Sequence, residues 1–203
     1  MKVGVIAVQG AVSEHVDALW KAMKKEGIKG EASLIRTIDD LADIQGLVIP
    51  GGESTTISRL MLSSGLQGRI IELARDGLPI LGTCAGTILL ASEGDQQVKD
   101  TGTKLLGLLD MQVNRNSYGR QVDSFEAELH IPELGHKPFK GVFIRAPTIE
   151  SVWGNTAVWA QYKNTIVGAK KGSILALTFH PELTEDLRVH QYFLKQIISQ
   201  HQQ

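Results

Sequence analysis

The segment Pro79-Ile80-Leu81-Gly82-Thr83-Cys84-Ala85-Gly86 joins a short apolar run to a stretch of helical character that continues to Ala91. It has the form Gly-x-nucleophile-x-Gly, which places a nucleophile on a sharp turn between a strand and a helix. Glycine tolerates the backbone conformations that such a turn requires. The segment therefore predicts a strand–turn–helix unit of an α/β protein with Cys84 at the turn. Taken alone, it also fits a buried structural cysteine packed between glycines.

Upstream of this unit, strand-like and helix-like runs alternate. The expected strands are Lys2–Val8, Ala32–Ile35 and Leu47–Ile49, and the expected helices surround Val16–Met23, Thr56–Leu62 and Gln67–Arg75. Apolar runs rich in β-branched residues are typical of strands that are buried on both faces. Alternation of this kind predicts an α/β fold, flavodoxin-like, with a mostly parallel central sheet and helices on both faces.

The second half is richer in strands and turns. We expect strands at Met111–Val113, Ser124–Leu129 and Gly141–Ile144, a meander of Val158–Gln161, Ile166–Ala169 and Ile174–Phe179, and a final helix. The chain shows no repeat, linker or domain boundary, so residues 1–203 are expected to form one domain. The polar tail, residues 199–203, is expected to fray.

Composition limits the possible partners. The net charge of -1 gives no electrostatic reason to expect nucleic acid or a membrane surface as a partner. No apolar run reaches the roughly 20 residues that a membrane span needs. The single cysteine cannot form an internal disulfide, which fits a reducing compartment, and we expect the protein to be cytoplasmic.

A base for a cysteine nucleophile is available in His180-Pro181-Glu182, which follows the last strand of the expected meander. A triad needs a base and a group that orients the base. Residues two apart in an extended run point to the same side, so His180 and Glu182 can share a face. The carboxyl ends of parallel strands meet at one edge of a sheet, where Cys84 and His180 could come together. Alternatively, His180 caps a strand and Glu182 is solvated.

An oxyanion hole is suggested by Pro50-Gly51-Gly52-Glu53-Ser54, which also follows an expected strand. The two glycines leave backbone N–H groups uncovered, as an oxyanion hole requires, and the N–H of Ala85 would be a further donor. A plain Gly-Gly turn is the alternative. A phosphate-binding loop is disfavoured, because no Gly-Lys-Ser/Thr follows and Glu53 would repel phosphate.

Several other side chains have structural interpretations. Trp20 and Met23 lie on an apolar stripe of the first expected helix and are assigned to the core. His15 lies on the polar side of that helix, which is either solvated or a partner interface. His130 and His136 have no second cluster of metal ligands nearby, so no metal site is expected.

Together these segments resemble class I, triad-type glutamine amidotransferases. Further segments are similar to the glutaminase subunits of pyridoxal 5′-phosphate synthase, and the similarity runs from Val3 to the final helix. These segments are Gln9–Val12 with Glu14-His15, Gly51–Thr56, Arg115–Glu126, Phe143–Pro147 and His180–Asp186. The Arg115–Glu126 and Phe143–Pro147 segments are the most specific, because many amidotransferases share the triad.

The resemblance implies hydrolysis of L-glutamine to L-glutamate and ammonia, which passes to a (β/α)8-barrel synthase subunit in a hetero-oligomer. It makes Cys84 the nucleophile, His180 the base and Glu182 its orienting group, with no cofactor. The positions where the family contacts glutamine are Gly52, Glu53, Ser54, Arg115, Ile144 and Arg145. Glu53 could instead lie at the subunit interface.

Three alternative functions remain open at this point. The protein could be a glutaminase that supplies a different synthase, although the Arg115–Glu126 segment favours pyridoxal phosphate. It could be a non-catalytic binding subunit of the same fold, which the intact Cys84, His180 and Glu182 set disfavours. It could also be a stand-alone cysteine hydrolase, which would not need Arg115 and Arg145.

Overall fold

The computed structural model describes residues 1–115 and 124–201. The strands in this part are β1 (Lys2–Ile6), β2 (Glu31–Ile35), β3 (Gly46–Ile49), β4 (Ile80–Thr83), β5 (Ala91–Gly94), β6 (Leu109–Asn114), β7 (Ser124–Leu129), β8 (Phe139–Ile144), β9 (Thr148–Val152), β10 (Ala157–Tyr162), β11 (Thr165–Lys171) and β12 (Ile174–Leu177). The α-helices are α1 (Val12–Glu26), α2 (Ser54–Ser63), α3 (Leu66–Arg75), α4 (Ala85–Leu90), α5 (Gln96–Asp100) and α6 (Arg188–His201).

The main sheet has ten strands in the order β2-β1-β3-β4-β12-β11-β9-β6-β5, and β10 pairs with β11 outside this path. From β2 to β12 all neighbours are parallel. Antiparallel pairs then join β12, β11, β9 and β6, and β5 runs parallel to β6. The predicted fold class, a mostly parallel sheet in an α/β protein, is confirmed.

The sheet is covered on both faces because its central strands are apolar throughout. In β3, Leu47 and Ile49 pack on one face and Val48 packs on the other, as the two-residue period of a strand requires. Helices α1 and α6 cover one face together with the β7–β8 hairpin, and residues of α2 to α5 cover the other.

The structure adds two strands that the sequence patterns did not indicate. Strands β5 and β9 carry few apolar residues in alternation, and each is held by pairing with β6. Strand β12 ends at Leu177, two residues before the expected end at Phe179. Lys163 and Asn164 form the two-residue turn that joins β10 to β11 of the expected meander.

Helix α1 buries a different stripe from the one expected. Its buried residues are His15, Ala18, Leu19, Ala22 and Met23. Trp20 is 56% exposed, so its assignment to the core was wrong, and His15 is fully buried instead of lying on a polar face. The small side chains of Ala18 and Ala22 allow the face of α1 that carries His15 to pack closely on its neighbours.

Helix α1 ends where a glycine follows it, and helix α6 extends further than expected. Helix α1 stops at Gly27, which adopts the left-handed conformation with φ 67°, as expected for a glycine after a helix. Helix α6 continues to His201, so residues 199–201 of the tail expected to fray are helical. Gln202 and Gln203 lie outside the described residues.

Candidate active site

Four loops meet at the carboxyl edge of the parallel strands. Gln9 follows β1, Gly51 follows β3, Cys84 follows β4 and His180 follows β12, and these strands are neighbours in the order β1-β3-β4-β12. The loops line one cavity of about 620 Å³. This is the position at which open α/β sheets bind ligands.

Cys84 occupies a strained turn between β4 and α4. Its φ of 49° and ψ of -104° lie outside the regions that L-residues usually adopt, and strain of this kind clusters at functional sites. The N–H of Cys84 donates to the carbonyl of Leu177 at 2.8 Å, which ties the turn to β12. A Cβ on Gly86 would lie 2.1 Å from the carbonyl oxygen of Ile49, so only glycine fits there.

His180 and Glu182 form a buried pair beside Cys84. Nδ1 of His180 lies 2.7 Å from Oε1 of Glu182. The expected reason for this proximity was wrong: Pro181–Leu183 form a 3-10 turn and not an extended run. Pro181 stands at the start of that turn, where its fixed φ is favourable. The tight turn, and not strand alternation, therefore brings the carboxylate to the imidazole.

The electrostatics of the site favour a protonated His180 and an ionised Glu182. Burial lowers the pKa of His180, but hydrogen bonding to Cys84 and Glu182 outweighs burial and raises the pKa to about 10. Burial alone would raise the pKa of Glu182, yet the adjacent rings of His15 and His180 hold it below its ordinary value. An imidazolium beside a thiolate is the reactive form of a cysteine nucleophile.

The Gly51-Gly52 loop is held against the site from one side by the loop after β1. The carbonyl of Gly51 accepts the N–H of Ala11 at 3.0 Å, and the N–H of Glu53 donates to Oε1 of Gln9 at 2.9 Å. Because a trans peptide is planar, the N–H of Gly52 points away from Ala11. The N–H of Ala85 lies in the first turn of α4, where backbone donors have no partner within the helix.

All six residues expected to contact glutamine line the same cavity. They are Gly52, Glu53, Ser54, Arg115, Ile144 and Arg145. Ile144 ends β8, and Arg145 follows it with a φ of 42°, an unusual conformation for a non-glycine residue. The Ser54 hydroxyl is buried and has no hydrogen-bond partner among the described residues.

Glu53 and Arg115 are paired with each other across the cavity wall. The guanidinium of Arg115 donates to Oε1 of Glu53 and, at 3.1 Å, to the hydroxyl of Thr55. Glu53 also caps α2 by accepting the N–H groups of Thr55 and Thr56. Burial would raise the pKa of Glu53, but these hydrogen bonds and Arg115 lower it to about 2. The carboxylate therefore stays ionised and holds Arg115 at the mouth of the cavity.

Three residues at the site were not identified as site residues from the sequence. Gln9 supports the Gly51-Gly52 loop, and the buried His15 and His190 stand behind Glu182. Gln9 and His15 belong to a segment quoted for its resemblance, but single-residue patterns gave no reason to place their side chains here. Residues 116–123 of the Arg115–Glu126 segment lie outside the described part of the chain.

Among residues 1–115 and 124–201, no three histidine, cysteine or acidic side chains are grouped so that they could hold a metal ion. In the same ranges, no helix has the length and apolar character that crossing a membrane demands.

An α/β sheet that carries a cysteine on a strand–helix turn, beside a histidine–glutamate pair, defines an enzyme of the cysteine-triad class, to which triad-type glutamine amidotransferases belong. Comparison with known proteins agrees with this class. The chain belongs to the SNO glutamine amidotransferase family, which it matches over residues 5–199. The resemblance found in the sequence is thereby confirmed.

The similar proteins cover the chain almost completely. A protein of Methanosarcina mazei named pyridoxal 5′-phosphate synthase subunit PdxT is 54% identical over 98% of this chain and 100% of its own length. A PdxT of Archaeoglobus fulgidus is 49% identical over 96% and 98%. A crystal structure of a glutamine amidotransferase superposes with a TM-score of 0.85 and 41% identity, covering 96% of this chain and 98% of the other.

Proposed function

We propose that the protein is the glutaminase subunit of a pyridoxal 5′-phosphate synthase, which hydrolyses L-glutamine and delivers ammonia to a (β/α)8-barrel synthase subunit. The observation that carries this proposal is the single cavity that unites Cys84 and His180 with Gly51, Arg115 and Arg145. The names of its archaeal relatives support the synthase as the partner. We propose the cytoplasm as its location, because a lone thiol nucleophile has to stay reduced.

The proposed reaction follows the triad template. The Cys84 thiolate attacks the side-chain carbonyl carbon of glutamine, and the tetrahedral oxyanion is stabilised by N–H groups of the Gly51-Gly52 loop and of Ala85. The His180 imidazolium gives its proton to the nitrogen as the C–N bond breaks, so that ammonia leaves and a thioester remains. His180 then takes a proton from water, which attacks the thioester and releases glutamate and the thiolate.

The cavity has groups of suitable charge for the two ends of glutamine. Arg145 makes no salt bridge within the described residues, so its guanidinium can bind the substrate α-carboxylate. Glu53 retains lone pairs beyond those used by Arg115 and the cap of α2 and can accept the α-ammonium. Because Arg145 binds the substrate and does not take part in the bond changes, we expect Arg145→Ala to raise KM for glutamine more than it lowers kcat.

The orientation of the Gly51-Gly52 peptide offers a basis for activation by the partner. The hydrogen bond from Ala11 fixes the direction of this peptide in the free subunit, and losing one oxyanion donor costs about a hundredfold or more in kcat. In the activation that we propose, the partner breaks this hydrogen bond and turns an N–H of the loop toward the oxyanion. A free subunit that already works at its full rate would exclude this route.

The test is ammonia release from glutamine by the pure protein, with and without the barrel subunit, and with Cys84→Ala as the control. We expect activity that rises with the partner and disappears in the variant. Labelling of Cys84 by a glutamine-analogue affinity reagent reports site competence separately. Complex formation without ammonia release or labelling would contradict the proposal and favour a non-catalytic binding subunit.

A further inference from the structure

A fully buried histidine pair stands directly behind the carboxylate of Glu182. His15 comes from α1 and His190 from α6, and both are 0% exposed. Nδ1 of His15 lies 3.3 Å from Nε2 of His190, while Nε2 of His15 lies 3.0 Å from the Thr83 hydroxyl. The same Nε2 is 3.3 Å from Oε2 of Glu182. The proposed reaction uses neither histidine, although burying two imidazoles has a free-energy cost.

The two carboxylate oxygens of Glu182 differ in their hydrogen bonding. Its Oε1 is bound to His180, whereas its buried Oε2 accepts no regular hydrogen bond within the described residues. An ionised carboxylate that is buried in this way is stabilised by donors around both oxygens. The nitrogen that faces Oε2 is Nε2 of His15.

The proton positions in the pair follow from its hydrogen bonds. Burial lowers the pKa of His15 and lowers that of His190 to about 3, so both rings are neutral near pH 7. Nδ1 of His190 has no partner in the described part of the chain. A proton there would be a buried N–H without an acceptor, so it resides on Nε2, which donates to Nδ1 of His15. His15 then carries its own proton on Nε2.

We propose that His15 is a positioning residue of the glutaminase site, whose polar Nε2–H edge packs 3.3 Å from Oε2 of Glu182 and fixes the carboxylate so that Oε1 stays aligned with His180. His190 acts one step further back by fixing the tautomer of His15. With this tautomer the Thr83 hydroxyl oxygen accepts the Nε2–H of His15 and, through the backbone, connects the pair to the turn that carries Cys84. This inference rests on the proposed function, and its main readout requires neither glutamine nor a partner.

The charged and titratable groups around His15 are few. Glu182 and His180 face it from the loop after β12, His190 faces it from α6, and Glu14 is its neighbour on α1. Of these, only Glu182 and His180 connect it to Cys84. Among the titratable groups, it is therefore the Glu182–His180 pair through which a change at His15 affects the reactivity of Cys84.

The test measures the rate of Cys84 alkylation by iodoacetamide as a function of pH, which is specific because Cys84 is the only cysteine of the chain. In His15→Leu, the freed carboxylate supports the His180 imidazolium less well. We expect the alkylation rate to fall about tenfold at each pH on the rising part of the profile, which corresponds to a shift of that profile by about one pH unit. His15→Gln keeps a donor at the end of its side chain and should recover most of the wild-type profile.

Leu19→Ala is the matched control, because Leu19 is a fully buried residue of the same helix and belongs to the apolar core. It should lower stability while leaving the alkylation profile unchanged. In the complex with the barrel subunit, His15→Leu should lower kcat by up to about a hundredfold, as a misplaced catalytic group does, and leave KM for glutamine unchanged. An alkylation profile of His15→Leu that matches wild type would overturn the proposal, even if the glutaminase activity itself is confirmed.

Discussion

The protonation state of His180 depends on two neighbours that act against its burial. Cys84 and Glu182 together raise its pKa from the ordinary 6.5 to about 10. A group whose pKa is higher in the folded state stabilises the fold fully below its unfolded pKa and loses that contribution as pH rises through the folded value. His180 should therefore stabilise the protein below pH 6.5 and stop doing so by about pH 10.

His180→Gln tests this dependence at a single residue. The free energy of unfolding of wild type should fall relative to that of the variant as pH rises from 6.5 to 10, because in that range only wild type releases the His180 proton on unfolding. Urea denaturation at several pH values measures the difference. In Cys84→Ala, which lacks one of the two supporting hydrogen bonds, the fall should still begin near pH 6.5 but end at lower pH than in wild type. Parallel curves for wild type and His180→Gln would show that His180 does not titrate in this window.

Among the structural elements, those with strong local signals were predicted and those that depend on distant contacts were not. The β4–turn–α4 unit follows from its glycines and apolar run, which are neighbours in sequence. Strand β9, in contrast, exists because β6 and β11 pair with it, and its own residues are half polar. The buried stripe of α1 was misjudged for the same reason, because the packing of α6 and Glu182 selects His15.

The site residues also divide into those that belong to a local motif and those that only the folded chain brings to the site. Cys84, His180 and Glu182 were identified because each belongs to a short motif, although the 3-10 turn that joins the last two was not foreseen. Gln9 and His190 have no motif of their own, and only the folded chain brings them to the site. Arg115 was identified, but its pairing with Glu53 was not, because 62 residues separate them in the chain.

In the β3–α2 loop, a methyl group on Gly51 would press on the imidazole of His180. A Cβ there would lie 2.5 Å from Cε1 and 3.2 Å from Nδ1 of His180. We expect Gly51→Ala to displace the imidazole and lower kcat about a hundredfold. Gly68→Ala, in α3, is the matched control, because its Cβ would have no neighbour within 4 Å. It should leave kcat unchanged and add up to about 1 kcal/mol of stability; equal kinetics in both variants would refute the steric argument.

Across the whole molecule, one side chain at the start of α6 ties down the connection between β7 and β8, whose strands also pack into the apolar core. Arg188 donates to the carbonyls of Leu134, Lys137 and Pro138 at 3.0, 2.6 and 2.9 Å, and it pairs with Asp186. A lysine cannot reproduce this fork of donors. The hairpin matters for binding because β8 ends at Ile144, on the cavity wall.

Arg188→Lys should therefore loosen the hairpin without touching the nucleophile. We expect a loss of about 1 kcal/mol of stability, the usual net contribution of a hydrogen bond, together with a higher KM for glutamine. Urea denaturation and steady-state kinetics measure the two effects. Arg69→Lys is the control, because its ion pair with Glu72 is exposed and such pairs contribute little. A stability loss in Arg188→Lys no larger than in the control would argue against the tether.

The N–H of His180 donates to the carbonyl of Val142 at 2.8 Å, two residues before Ile144. One backbone contact thus joins the strand that ends at the cavity wall to the residue that moves the proton. When two binding events influence each other, each changes the affinity of the other by the same factor. If docking of a partner at the hairpin tightens glutamine binding by some factor, glutamine must tighten the docking by the same factor. The subunit would then hold its partner most firmly when there is glutamine to consume, and release it as glutamine runs out.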